Sequence, residues 1–110
     1  MAAFSELTIE QGATYNTTVN VEDDAGNAIN LYAYTANSQM RKSYYSSTAY
    51  TIGASVTGTA NGEITLSITA ANTANLSAGR YVYDLKITSA NNIVTRVVEG
   101  IATVLPSVTR

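Results

Sequence analysis

Apolar residues recur at every second position along most of this chain, the spacing of strands that bury one face. Leu7 and Ile9 alternate with Thr8 and Glu10 in a short first strand. Tyr15, Thr17, Val19 and Val21 then share a face, opposed by Asn16, Thr18, Asn20 and Glu22. Asp23-Asp24-Ala25-Gly26-Asn27 reads as a turn, because Asp and Asn bond their own backbone and Gly supplies positive φ. Ile29 and Leu31 lead into a third strand with Tyr34, Ala36, Ser38 and Met40 inward. Tyr50, Ile52, Ala54 and Val56 form a fourth, followed by a loop that ends in Asn61-Gly62, a hairpin signal. Ile64, Leu66 and Ile68 mark the fifth.

Residues 70–76 are the only helix-tolerant stretch, with Thr69 as N-cap. Beyond Gly79, Tyr81, Tyr83, Leu85 and Ile87 alternate in a sixth strand, and Ser89-Ala90-Asn91-Asn92 turns the chain into a last one. There Ile93, Thr95 and Val97 share a face until Glu99-Gly100, after which the phase moves to Ala102 and Val104. A β-bulge at Gly100 would account for that shift. About seven short strands with closely spaced turns predict one all-β domain over residues 1–110, an immunoglobulin-like antiparallel sandwich. Tyr81, just inside the sixth strand and two residues before an inward position, sits where such folds place a tyrosine corner. Its hydroxyl is expected to bond backbone near Leu76 to Ala78.

Composition narrows the chemistry. Cysteine and histidine are both absent, which removes disulfides, thiolate metal sites and Ser–His–Asp or Cys–His catalysis within this chain. No enzyme activity, cofactor or metal is expected. Charged residues make up 13%, about half the ~25% of an average soluble domain. That fits a β protein with β-branched polar positions, and equally a surface covered by neighbouring subunits, where charge would have to be desolvated. Six basic residues are scattered along a chain of net charge −2, so no stripe exists to neutralise phosphates, and nucleic acid is not an expected partner. No apolar run approaches the ~20 residues of a membrane span. The start, Met1-Ala2-Ala3-Phe4-Ser5, lacks the features of a signal peptide, which predicts synthesis in a cytoplasm without ordinary export.

The candidate sites are few. Glu22, Asp23, Asp24 and Asn27 could offer oxygens to calcium, but the spacing of a calcium loop is missing and a solvated turn is the expectation. Asp84 faces away from Tyr81 and Tyr83 and is expected to pair across strands with Arg96. Tyr32, Tyr34, Tyr44, Tyr45 and Tyr50 crowd one region. Parity sends Tyr34 and Tyr50 inward and leaves Tyr32, Tyr44 and Tyr45 as a candidate contact surface, since tyrosine offers contact area at low entropic cost. Tryptophan, the strongest sugar-stacking residue, is absent. The glycosylation sequons at Asn16 and Asn75 read as chance matches in an Asn- and Thr-rich chain.

Asp24-Ala25-Gly26-Asn27-Ala28-Ile29-Asn30-Leu31, Met40-Arg41 and Gly62-Glu63-Ile64-Thr65-Leu66 follow one another in an order that resembles tailed-phage virion proteins. The pattern continues through Leu76-Ser77-Ala78-Gly79-Arg80-Tyr81-Val82-Tyr83-Asp84-Leu85 and closes on residues 96–100. It is similar to the N-terminal immunoglobulin-like domain of phage baseplate upper proteins and to small structural proteins of cyanophages, over residues 12–104. Where such proteins carry Leu-Thr-Gly-Tyr, this chain has Leu31-Tyr32-Ala33-Tyr34. The resemblance implies a non-catalytic virion component (tail, baseplate, neck or head decoration) that contacts other virion proteins and itself, as a homo-oligomer. It also accommodates the missing signal peptide, because phage proteins leave the cell by lysis. The alternative is a receptor- or carbohydrate-binding adhesion module that uses Tyr32, Tyr44 and Tyr45 on a host surface glycan or receptor.

Overall fold

The alternating runs become strands in the computed structural model, which describes residues 3–22 and 26–108. In chain order these are β1 (Ala3–Phe4), β2 (Leu7–Glu10), β3 (Tyr15–Asn20), β4 (Thr35–Arg41), β5 (Tyr50–Gly58) and β6 (Glu63–Ile68). A five-residue helix α1 (Ala70–Ala74), β7 (Gly79–Thr88) and β8 (Val94–Leu105) complete the fold. Thr69 caps α1 as expected, its side chain accepting from the Asn72 N–H at 3.3 Å. Asp23 and Asp24, the acids of the first turn, lie outside the described residues.

The hydrogen-bonded strand path runs β1–β8–β7–β4–β5–β6–β3, with β2 also on β8. β1 and β2 run parallel to β8, and every other pairing of these strands is antiparallel. The path folds on itself at β5. Its first residues pair with β4 (Met40↔Tyr50, Ser38↔Ile52), and from Gly53 onward it pairs with β6 instead (Gly53↔Ser67, Val56↔Ile64). One layer is therefore β2–β8–β7–β4 with the start of β5, and the other is β3–β6 with the rest of it. A first strand parallel to the last, a central β7–β8 hairpin and an edge strand that changes layers define an immunoglobulin-like sandwich. The core between the layers holds Ile9, Leu31, Met40, Ile52, Ile64, Leu66, Leu85 and Val104, each at most 1% exposed. Burying side chains of this kind contributes about 1.5–3 kcal/mol each.

Tyr81 is a corner residue, as its position in the sequence predicts. It is buried, and its hydroxyl donates to the Ser77 carbonyl at 2.8 Å. Tyr83 uses its hydroxyl differently, donating to the carbonyl of Ser5 at 2.7 Å and so tying the N-terminal strands to the core.

The bulge in the last strand is not at Gly100. Leu85 pairs with Val98 and Lys86 with Arg96, so Val97 is the extra residue. Val98, Gly100, Ala102 and Val104 are buried on one face, while Ile93 and Thr95 are exposed. Gly100 has another cause. A Cβ there would overlap the carbonyl of Ser5, the same oxygen that Tyr83 binds, so only glycine lets the N-terminal segment lie flat against β8. Gly62 is equally constrained, with φ at 66° and its missing Cβ only 2.5 Å from the Val21 carbonyl.

Candidate functional site

The loop after β4 is built to hold two tyrosines out in solvent. Ser43, Tyr44, Tyr45 and Ser46 form a tight turn, closed by the Ser46 N–H donating to the Ser43 carbonyl at 3.2 Å. Tyr44 and Tyr45 are its two tip residues, 66% and 98% exposed. Arg41, the last residue of β4, donates through Nη1 to the Ser46 carbonyl at 2.5 Å and braces the turn from below. Both ends of the loop rest on the corner tyrosine. Lys42 Nζ lies 4.4 Å from the centroid of the Tyr81 ring, and Tyr50 meets that ring edge-on at 5.9 Å. Cation–π and edge-to-face contacts contribute roughly 0.5–1.5 kcal/mol each. Tyr81 therefore links the core to the displayed pair.

Tyr32 does not join them. It is 80% exposed, in the turn that precedes β4, whereas Tyr44 and Tyr45 follow the other end of that strand. Seven extended residues separate the two ends by roughly 20 Å. The three tyrosines are all on the surface, as parity predicts, but they are two sites rather than one patch. Tyr34 and Tyr50 are partly buried against the core.

An open cavity of about 580 Å³ lies over the outer face of β4, β7 and β8, with Tyr44 on its border. Register assigns its side chains to rows. Asn37, Lys86 and Arg96 stand side by side across the three strands, and Gln39, Asp84 and Glu99 form the next row. Adjacent rows on one face are about 7 Å apart. The bulge at Val97 creates this arrangement, because it turns both Arg96 and Glu99 outward although they are three residues apart. Arg96 Nε lies 3.4 Å from Asp84 Oδ2, the expected ion pair, made diagonally between rows. Lys86 and Glu99 have no ion-pair partner among the described residues.

Burial pushes the hydroxyls of Tyr81 and Tyr83 above the ordinary phenol value of 10.0, with Tyr50 adding to the effect at Tyr81. Both hydroxyls are committed to backbone carbonyls, so neither is poised for proton transfer. Among the described residues no cluster of three or more Asp or Glu side chains could hold a metal ion. The chemistry this surface offers is recognition: two held aromatic rings, and a face of donors beside acceptors.

No protein-family model matches the chain, and no curated protein matches it significantly. Among solved structures it is similar to the Lin-41 filamin domain, at 16% identity and a TM-score of 0.47. That similarity covers 89% of this chain and 82% of the other. The immunoglobulin-like assignment stands on the strand order and register described above.

Sequence reasoning found Asp84, Arg96 and the exposed tyrosines. It missed Asn37, Gln39, Lys86 and Glu99 as their companions. Their polar alternation was visible, but the bulge that aligns Glu99 with Asp84 follows from strand register.

Proposed function

We propose that this chain is a non-catalytic structural module that works through protein contacts, as one component of a tailed-phage particle. The observation that carries the reading is β5. Its nine residues contain no charge. Its first part pairs only with β4 and the remainder only with β6, so each part presents an open backbone edge. Proteins that stay monomeric guard such edges with lysine, proline, inward charge or bulges. Here the guard is one irregularity between Val56 and Gly58, near the strand's end. Thr51, Gly53, Ser55 and Thr57 are exposed and small, so a neighbouring strand could approach without desolvating a charge. The virion assignment draws its support from the sequence pattern over residues 12–104. The absence of histidine and cysteine from the sequence supports the non-catalytic part.

Light scattering on the purified protein, with and without Ser55→Lys, tests the edge. The expected result is a concentration-dependent assembly that the lysine abolishes while the thermal melt is kept. Mass spectrometry of purified phage particles tests the location, and there the chain should be present in many copies. A protein that is monomeric at all concentrations and missing from particles would overturn the proposal.

A further inference from the structure

The outer face of β4, β7 and β8 carries an arrangement that the strand edge does not explain. Lys86 stands directly across from Arg96, and Asp84 directly across from Glu99. Like charges in direct cross-strand pairs are destabilising. One diagonal contact, between Arg96 and Asp84, relieves part of this and leaves Lys86 and Glu99 uncompensated. Charged residues are sparse in this sequence, yet four of them meet on one face, within a cavity of about 580 Å³. That volume falls in the range of ligand-binding clefts, about 300–1,000 Å³.

We propose that this face is a binding groove for a neutral oligosaccharide, with Tyr44 as its stacking platform. Lys86 and Arg96 can only donate hydrogen bonds, and the carboxylates of Asp84 and Glu99 can only accept them. Asn37 and Gln39, at the ends of the two rows, do both. A sugar hydroxyl also does both at once. A chain of hydroxyls laid across rows about 7 Å apart therefore satisfies each side, which neither an anion nor a cation can do. The two acids balance the two bases, and this favours a ligand without net charge. Arg41 is not a third free cation, because its guanidinium is occupied by the Ser46 carbonyl and Gln39. Tyr44 borders the same cavity on a braced turn, so its ring is offered at little entropic cost. A second copy of this face is a poor occupant despite the matching charge rows, because two concave surfaces cannot close on each other.

The proposal goes beyond the assembly reading and uses a different surface, so either can fail alone. The full chain, made multivalent on a streptavidin tetramer, is applied to an array of neutral and acidic oligosaccharides, and calorimetry follows on the best neutral binder. Binding to at least one neutral oligosaccharide is expected. Tyr44→Ala and Glu99→Gln should each weaken it tenfold or more with unchanged thermal melts, while Tyr32→Ala, beyond the far end of β4, leaves it intact. Raising salt to 0.5 M should change the affinity less than twofold. No binding to any neutral glycan would overturn the proposal, as would binding confined to acidic glycans and lost in salt. Groove variants that abolish particle assembly without any glycan binding would assign the face to a protein neighbour, and would also overturn it.

Discussion

Removing the Tyr81 side chain in two steps separates its role in the core from its role in the loop. Tyr81→Phe deletes one hydroxyl, the donor to the Ser77 carbonyl, and keeps the ring. Ser77 is exposed, so water can take over that carbonyl, and the cost should be the net value of one hydrogen bond, about 1 kcal/mol. For a domain of this size that lowers the melting temperature by about 4 °C. Tyr81→Ala also removes the buried ring and leaves a cavity, which costs on the order of 3–5 kcal/mol. The Lys42 and Tyr50 contacts at the two ends of the loop vanish with the ring, adding roughly 1–2 kcal/mol. Urea titration followed by circular dichroism reads both variants. Hydrogen exchange in residues 43–49 reads the loop directly, and should rise in Tyr81→Ala but not in Tyr81→Phe. Equal costs for the two variants, or a loop unmoved by loss of the ring, would refute the linkage.

Three further outcomes are expected. Gly100→Ala should drive the Ser5 carbonyl off β8 and break its bond to Tyr83, lowering the melting temperature and speeding exchange in residues 3–10; an unchanged melt would contradict the close approach. Burial raises the phenols of Tyr81, Tyr83 and Tyr15 above 10.0, so the fold favours their neutral forms. The stability this contributes is complete below about pH 10 and is lost as pH climbs through the raised values, so the urea midpoint should fall only above pH 10. A Tyr81→Phe, Tyr83→Phe double variant should lose much of that alkaline decline, and an identical decline would assign it to other groups. Arg96→Ala leaves Asp84 beside Glu99 without a counter-charge, and should cost no more than about 1 kcal/mol because both partners are partly exposed. A larger loss in the melt would mean that the pair supports more than the surface.

The strands and most of the core were legible because alternation reports burial directly. Tyr81, Tyr83, Leu85 and Ile87 are all buried, as their spacing predicts. The corner hydrogen bond was legible for a local reason, since Tyr81 and Ser77 are only four residues apart. What stayed hidden depends on distant contacts. The glycine in the last strand looked like the source of the phase shift, but Gly100 is glycine because Ser5 presses on it, and Val97 carries the bulge. β5 keeps Ile52, Ala54 and Val56 on one parity while its partner changes from β4 to β6, so no break in pattern marks the crossing. Exposure of Tyr32, Tyr44 and Tyr45 could be read from parity, but their separation by the length of β4 could not. The grouping of Lys86 with Arg96 and of Asp84 with Glu99 needs the register of β7 on β8.

The central claim is that β5 is covered when the protein does its work, and an electron cryo-microscopy map of the assembled particle tests it most directly. The expected map shows an extended strand of a neighbouring subunit, or a second copy of this one, against residues 50–56, with main-chain separation of about 4.8 Å. A map in which the chain is well resolved and residues 50–56 face open solvent in every copy would contradict it.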